Sequence, residues 1–411
     1  MQACPATPQC DAPAKALPSQ SQGWTRSLAP GAMTLFSFAA AMLIAGSSAA
    51  VTPLYRLYQE SLHLTPFWIT IVFASYVASL LAALLTVGGL SDYVGRRPVI
   101  LAALLLNAAA MILFAEAADV AQLILARAVQ GLCVGVGTTA LGAAILDTNR
   151  ARGPLLNSVT PFLGMTAGSL GAATLITFAP DPLHRVYDVL LGLTAVMIAL
   201  LWVMPESISR KTGALASLRP HVSVPTQSRS VLAKLTPANV AAWALGGLYL
   251  SLMPTVVATA MAVHSPWVGG VVVSALMLTA AVAVATFRDW PARRLILTGT
   301  STLSLGVAVS MFGIHEQQVA ALLAGTVIAG VGFGSTFSGT LRTLLPTAEP
   351  HQRAGLLSAF YVQSYLAFSL PAVAAGLSVP LIGLSTAAYL YGAVIVVLAI
   401  ISMVASLFTN R

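Results

Sequence analysis

The charged stretch GGLSDYVGRRPV separates two long apolar runs of the chain. It places one carboxylate, Asp92, near two guanidinium groups, Arg96 and Arg97, with Gly89 and Gly95 on its flanks. Glycine permits a tight turn, and a carboxylate can face both arginines and the positive N-terminal end of another helix. Contacts of this kind can break and re-form without covalent chemistry. The pattern therefore indicates a conformational gate, with simple anchoring of the loop by its arginines as the alternative.

A second stretch, FRDWPARR, repeats this charge pattern 197 residues later. Asp289, Arg293 and Arg294 have the same Asp-x-x-x-Arg-Arg spacing, but the glycines are missing. Two further short matches between the halves of the chain are displaced by 199 and 201 residues. Three matches at similar displacements indicate one structural unit that is used twice in the same orientation.

Arg127, Gln130 and Gly131 lie inside an apolar segment, LARAVQGLCVG. A charge at membrane depth costs about 2.5–3.5 kcal/mol on insertion scales and normally faces a cavity or a partner. We therefore expect Arg127 to face a cavity, with snorkelling to the nearby membrane surface as the alternative. Asp188 begins another apolar segment at a similar depth, so it is a candidate partner of Arg127. Equally, Asp188 can simply favour the start of its own helix through the helix dipole.

The sequence lacks the patterns of several kinds of catalytic and cofactor site. No lysine follows a glycine, so there is no phosphate loop, and no Gly-x-Ser-x-Gly elbow occurs. Cys4, Cys10 and Cys133 fit neither a disulfide framework nor a metal site. The formal net charge of +8 comes from basic residues in short loops, which does not indicate a nucleic-acid partner. We predict that the protein is not an enzyme and needs no cofactor or metal.

Composition indicates that the bilayer surrounds this chain. Its residues are 57% hydrophobic and only 8% charged, whereas soluble domains carry about 25% charged residues. Segments of roughly 20 apolar residues can cross a membrane, and twelve are expected. They lie at about 32–52, 67–88, 98–115, 121–146, 154–178, 185–204, 237–259, 266–287, 294–313, 318–341, 354–378 and 383–408. The predicted fold is all-α, with two six-helix bundles.

These spans predict the organisation and the orientation of the chain. The expected parts are a disordered tail (1–31), a first bundle (32–204), a central loop (205–236), a second bundle (237–408) and a short C-terminus (409–411). If the N-terminus is cytoplasmic, the cytoplasmic segments hold 17 of the 20 Lys and Arg residues. Because positive residues concentrate on the cytoplasmic side, both termini are predicted to be cytoplasmic.

The charged stretch resembles the loop motif of major facilitator superfamily transporters, Gly-x-Leu-Ser/Ala-Asp-x-x-Gly-Arg-Arg/Lys. The segment with Arg127, Gln130 and Gly131 resembles a second motif of that family, Arg-x-x-Gln-Gly. The resemblance implies two bundles that rock about a central site to give alternating access. It also implies a link between Arg127 and proton transfer, since this arginine has that role in proton-coupled members. Gln130 and Gly131 of the same motif are coupling candidates with Arg127, and Asp188 joins them because of its depth in the membrane.

Three glycines, Gly164, Gly168 and Gly171, resemble the antiporter motif of drug-exporting members, Gly-x-x-x-Gly-Pro-x-x-Gly-Gly. Ser169 replaces the proline and Ala172 replaces the last glycine. The glycines therefore suggest antiport, and ordinary packing of small residues between helices is the alternative.

Aromatic and hydroxyl side chains are the candidates for a substrate cavity. Four of them follow one helix face at i, i+3, i+4 and i+7. The full set is Tyr76, Tyr249, Phe333, Phe337, Tyr361, Ser364, Tyr365 and Phe368. Walls with almost no charge suit a neutral or amphipathic organic molecule. Packing within the bundles is the alternative for each residue.

The leading functional prediction is a monomeric, proton-driven exporter of a drug or metabolite in a bacterial inner membrane. Its partners are expected to be a small-molecule substrate, protons and lipid. A solute importer or facilitator is the alternative, because Pro205-Glu206-Ser207 resembles a segment of sugar carriers. A membrane sensor that uses a transporter fold without transporting is a further alternative.

Overall fold

The computed structural model describes residues 30–218, 220, 222–261 and 265–408, and all its regular secondary structure in these ranges is helical. Eleven described helices are long and apolar enough to cross a membrane, and a bent pair of helices brings the number to twelve. The expected all-α fold is confirmed. The tail up to residue 29 and residues 409–411 lie outside the described residues, so their predictions stay untested.

The long helices are numbered α1 to α12 in chain order. The first bundle contains α1 Pro30–Ser61, α2 Pro66–Val87, α3 Arg96–Ala115, α4 Val120–Thr148, α5 Gly153–Phe178 and α6 Pro182–Leu201. The second contains α7 Thr226–Ser251, α8 Pro266–Thr286, α9 Ala292–His315, α10 Val319–Leu344, α11 Arg353–Ile382 and α12 Leu384–Phe408. Short helices Ser91–Val94 and Met253–Thr259 follow α2 and α7, and short 3₁₀ turns lie at Ala216–Leu218 and Leu345–Thr347.

The seventh span begins earlier than expected and contains a break, although it ends at Thr259 as expected. Helix α7 begins at Thr226, inside the segment expected to be the central loop, and it bends by 52° into Met253–Thr259. The bend follows from Pro254, which has no N–H and crowds the carbonyl four residues earlier. That carbonyl, of Leu250, instead accepts a hydrogen bond from the Thr52 hydroxyl of α1 at 3.2 Å. The break thus creates a polar contact between the bundles.

The two bundles are in close contact in the half of the molecule opposite the linker. We call the end at residues 202–225 the linker end, and the opposite end, with the loop 62–65, the far end. In the far half, Ser169 of α5 donates to the carbonyl of Gly270 in α8 at 3.4 Å. Gly376 of α11 also lies directly against Thr70 of α2 there. Helices α2 and α11, and α5 and α8, are therefore in close contact in this half.

Candidate functional site

The charged loop is held by one buried arginine. Arg96 is only 5% exposed. Its guanidinium pairs with Asp92 at 2.6 Å and with Asp147, at the end of α4, at 2.9 Å. It also donates to the Ser91 hydroxyl at 2.7 Å. These partners all belong to the first bundle, so Arg96 fixes the loop to α4.

Arg97 does not share the Asp92 carboxylate, contrary to the expectation that Asp92 faces both arginines. Its side chain donates to the carbonyl of Trp202 at 3.1 Å. The loop backbone is held by Glu206, whose carboxylate accepts from the N–H groups of Arg96 at 2.8 Å and Arg97 at 3.1 Å. Those N–H groups begin α3, where a helix has no internal acceptors. Glu206 therefore caps α3 from the linker.

We expect Glu206→Ala to lower the apparent Tm of the purified protein by several degrees, because lost helix caps cost about 0.5–2 kcal/mol. Glu206→Gln is the control, since it keeps one acceptor oxygen for the same N–H groups. Thermal unfolding of both variants in detergent measures the difference. Equal Tm values for Glu206→Ala and wild type would contradict the capping role.

The turn before α3 depends on glycine. Gly95 has φ of +101°, and a Cβ there would come 2.7 Å from the Glu206 carboxylate. A side chain at this position would therefore strain the backbone and displace the cap together. Gly89 contacts the linker more loosely, since its Cβ would meet Ser217 at 3.9 Å.

The second copy of the charge pattern does not reproduce this network. Asp289 pairs with its neighbour Arg288 at 3.3 Å rather than with Arg293. Arg293 donates to the carbonyl of Ser406 in α12 at 3.2 Å, and Arg294 lies over the ring of Trp290 at 3.9 Å. The gating role predicted for this copy stays a prediction, and its geometry differs from that of the first.

Arg127 lies deep inside the first bundle and is 2% exposed. It donates to the Tyr55 hydroxyl at 2.9 Å, to the carbonyl of Ser48 at 3.1 Å and to the amide oxygen of Gln130. Its guanidinium also lies 5.1 Å from the ring centre of Tyr76. Among the described residues, no carboxylate pairs with it within 4.0 Å. Arg127 is therefore a buried cation with neutral partners.

The structure does not bring Asp188 to Arg127. Asp188 is exposed and lies 3.8 Å from Arg185, one turn earlier on α6. Gly131 has a packing position, because a Cβ there would overlap the backbone of Tyr76. The hypothesis of an Arg127–Asp188 pair thus has no support in this conformation.

Two of the three glycines of the antiporter-like segment pack against α1. A Cβ at Gly164 would meet Ala45 at 2.8 Å, and a Cβ at Gly168 would overlap the backbone of Gly46. Gly171 has nothing within 4 Å of its Cβ position, so its assignment to helix packing does not fit the structure. Gly171 follows Gly164 by seven residues, or about 700° of helix rotation, so it lies on the same face as Gly164. Its Cβ position is open because no neighbouring helix comes within 4 Å at that level.

Three of the predicted cavity residues are engaged inside the bundles. Tyr76 packs against Arg127 in the first bundle. The Tyr249 hydroxyl lies 3.0 Å from the hydroxyls of Ser310 and Thr326 inside the second bundle. Ser364 is fully buried and accepts from the Asn239 amide at 2.9 Å. For these three, the structure favours packing over contact with a substrate.

The other five predicted cavity residues meet around a tryptophan. Ring centres of Phe337, Tyr361, Tyr365 and Phe368 lie 5.0 to 6.4 Å from that of Trp243 in α7. Phe333 joins through Phe162 of α5, which contacts the rings of Phe333 and Phe337, and Phe73 of α2 contacts Phe368. We call these eight residues the aromatic cluster. It joins both bundles near the middle of the helices.

The rings of the aromatic cluster differ in how far they are buried. Trp243, Phe337, Tyr361 and Tyr365 are partly buried, while Phe333 and Phe368 are buried. Tyr361 is the ring nearest to the linker-end start of α11. The indole N–H of Trp243 is buried and has no hydrogen-bond partner among the described residues. The cluster thus combines accessible ring surface with one unused donor.

Sequence reasoning missed several residues of this arrangement. Trp243 had a usable signal, because tryptophan in membrane proteins concentrates at the interfaces and is unusual in mid-span. Phe73 and Phe162 had no comparable signal, since phenylalanine is common throughout apolar helices. Tyr55 and Asp147 could be identified as partners only with knowledge of which helices are neighbours.

Comparison with known proteins places this architecture in a family. The sequence model described as Major Facilitator Superfamily matches residues 36–288. The multidrug resistance protein MdtL of Citrobacter koseri is 25% identical over 288 residues, covering 66% of this chain and 71% of MdtL.

Two solved structures share the fold. A point mutant of the nucleoside transporter NupG superposes with a TM-score of 0.70 at 13% identity, covering 92% of this chain and 99% of that one. The xylose transporter XylE from E. coli, in a partially occluded inward open conformation, superposes with a TM-score of 0.69 at 14% identity, covering 90% of this chain and 96% of that one.

Proposed function

Because the chain belongs to the Major Facilitator Superfamily, we propose that it exports a neutral or amphipathic small organic molecule by alternating access. The observation that carries the proposal is the aromatic cluster, which joins the two bundles and consists only of uncharged rings. Aromatic walls with few polar groups suit ligands of this kind. The similarity to a multidrug resistance protein supports export.

The contacts between the bundles support a conformation that is closed at the far end. Two hydrogen bonds join the bundles in the far half of the molecule, from Thr52 to Leu250 and from Ser169 to Gly270. The aromatic cluster lies nearer the middle, with Tyr361 toward the linker end. If the linker end is cytoplasmic, as the positive residues predict, this conformation faces inward. Such a state receives a substrate from the cytoplasm, as an exporter requires.

Proton coupling is the finer part of the proposal, and the coupling candidate is the network of Arg127, Gln130 and Tyr55. Because Arg127 is held by neutral groups alone, an anion or a proton that arrives or leaves nearby would change the electrostatic energy of its charge. We further propose that the protein acts as a monomer in the inner membrane, with both termini cytoplasmic.

A facilitator is the second candidate, and one observation favours it. In the described helices the acidic side chains lie near the ends, as with Glu60, Asp147 and Asp188. A proton-coupled carrier usually has an acidic group at membrane depth. Without one, the same alternating movement would equilibrate a solute rather than concentrate it.

Proton flux in inside-out vesicles separates these candidates. We expect neutral and cationic amphipathic compounds to reduce the proton gradient, reported by a pH-sensitive dye, only in vesicles that contain the protein. Asp188→Asn is the matched control and should behave as wild type, because Asp188 is exposed and pairs only with Arg185 among the described residues. Equilibration of a labelled solute with no change in the gradient would instead establish a facilitator and contradict proton-coupled export.

A further inference from the structure

Four buried side-chain polar atoms in the described part of the chain have no hydrogen-bond partner. They belong to Ser37, Trp243, Ser335 and Thr336. Only Trp243 belongs to the aromatic cluster. Buried polar groups are nearly always hydrogen-bonded in native proteins, so an unused indole donor at this place needs an explanation.

We propose that the Trp243 N–H donates a hydrogen bond to the substrate, and that the substrate is an uncharged, planar molecule with an acceptor oxygen or nitrogen. This inference rests on the proposed transport function. Indole nitrogen is a donor only, so the group it binds must be an acceptor. An anion is disfavoured because one neutral donor does not compensate the loss of its hydration.

The ring geometry supports a planar ligand. Trp243 meets Phe337, Tyr361, Tyr365 and Phe368 at interplanar angles between 62° and 87°. Edge-to-face packing leaves part of each ring face without an aromatic partner, and flat rings gain energy by stacking on such faces. The hydroxyls of Tyr361 and Tyr365 form no side-chain hydrogen bond to the described residues, so they remain able to contact polar groups at the ligand edge.

Neighbouring polar residues do not take up the indole donor. Asn239 lies one turn before Trp243 on α7, and its amide already donates to Ser364 at 2.9 Å and to Gln363 at 3.1 Å. Gln363 in turn donates to Thr236 at 2.8 Å. This network is closed on itself between α7 and α11. The Trp243 N–H is therefore left for a group from outside the protein.

The test compares two ligands that share a ring ether oxygen and differ in one carbonyl acceptor. Coumarin has a ring carbonyl, and 2H-chromene is the same bicycle without it. Equilibrium dialysis against wild-type protein in nanodiscs, corrected with empty nanodiscs, measures both Kd values. We expect coumarin to bind at least about tenfold more tightly, because an unmade hydrogen bond to a buried donor has an effect of that size.

Trp243→Phe keeps an aromatic ring and removes the donor. We expect it to weaken coumarin binding about tenfold, to within about twofold of 2H-chromene, whose own Kd stays nearly constant. Trp267→Phe, at the far-end start of α8, is the control and should change neither value. If Trp243→Phe weakened the binding of both ligands equally, Trp243 would have a packing role and the inference would be overturned.

The wild-type comparison keeps the inference falsifiable even if the variant does not fold. Equal binding of the two ligands would overturn it, and so would failure of coumarin to bind. If vesicles still exported neutral compounds in either case, the proposed function would stand without this specificity. If they exported none, the proposed function would fail as well.

Discussion

Arg127→Met is expected to reduce substrate-driven proton flux at least about hundredfold while the apparent Tm of the purified protein stays within about 5 °C of wild type. The guanidinium joins α4 to α1 through the Tyr55 hydroxyl and the Ser48 carbonyl. Methionine fills similar space but cannot donate. Because we propose that coupling runs through this network, its loss removes coupling itself.

The small expected change in stability follows from two opposing effects. Removing a buried cation relieves the penalty for its lost hydration. Leaving Tyr55 and Gln130 without their partner costs about 1–3 kcal/mol per unsatisfied group. These two contributions to the free energy of unfolding largely cancel, whereas breaking a true buried ion pair would destabilise the protein strongly.

Measurements of substrate-driven proton flux and of thermal unfolding together test the prediction for Arg127→Met. Arg127→Lys is the informative control, because it keeps the charge but lacks the planar fork that reaches Tyr55 and Gln130 together. We expect it to keep the fold and to lose most of the flux. Normal flux in Arg127→Met would contradict a coupling role, and loss of the folded protein would show that Arg127 is mainly structural.

The fold was largely predictable because a bilayer imposes a simple rule on the chain. Every backbone polar group must be satisfied within the membrane, so long apolar runs form helices. The limit of the rule is visible at α7, where Pro237 looks like the end of a loop but lies inside the helix. The helix tolerates it because the carbonyl four residues earlier belongs to Ala233, which is exposed and open to solvent.

The charged loop shows which parts of a site local sequence can predict. Asp92 and Arg96 are only four residues apart, so a local turn is enough to bring them together, and they pair at 2.6 Å across the turn at Gly95. Glu206 is 110 residues from Arg96 and binds its N–H. Nothing in the spacing of the loop indicates that contact. It depends on α6 ending beside the start of α3.

The aromatic residues show the same limit for helix faces. Periodicity along α11 correctly grouped Tyr361, Tyr365 and Phe368 on one face. Periodicity does not show which neighbouring helix a face contacts. It therefore could not show that Tyr249 lies inside the second bundle whereas Trp243, on the same helix, lies at the interface between the bundles. Membrane helices are apolar on most sides, which removes the contrast between core and surface that guides such assignments in soluble proteins.

The far-end contact between α2 and α11 gives the other large prediction. Gly376→Leu is expected to shift the protein toward a conformation that is open at the far end. A Cβ at this position would lie 2.9 Å from the Thr70 Cβ and 2.8 Å from its hydroxyl. Overpacking of this kind costs about 1–3 kcal/mol, which corresponds to a roughly 5- to 150-fold change in population.

Gly171→Leu is the matched control for this change. It makes the same substitution in the far half of α5, at a position with nothing within 4 Å of the Cβ. It should leave the conformation and transport unchanged. Gly376→Ala alone should shift the conformation in the same direction as Gly376→Leu, and adding Thr70→Gly to it should reverse that shift, because the three atoms nearest to the Cβ at 376 all belong to the Thr70 side chain.

Spin labels at Glu116 and Gln317, on far-end loops of the two bundles, measure the opening as a distance distribution in a background without the native cysteines. We expect Gly376→Leu to lengthen that distance and to slow transport, because the far end must close in each cycle. An unchanged distribution would mean that α2 and α11 do not form the far-end gate. A change that Thr70→Gly fails to reverse would place the clash elsewhere. Reversal by Thr70→Gly would instead identify one threonine–glycine contact as the point where the bundles close.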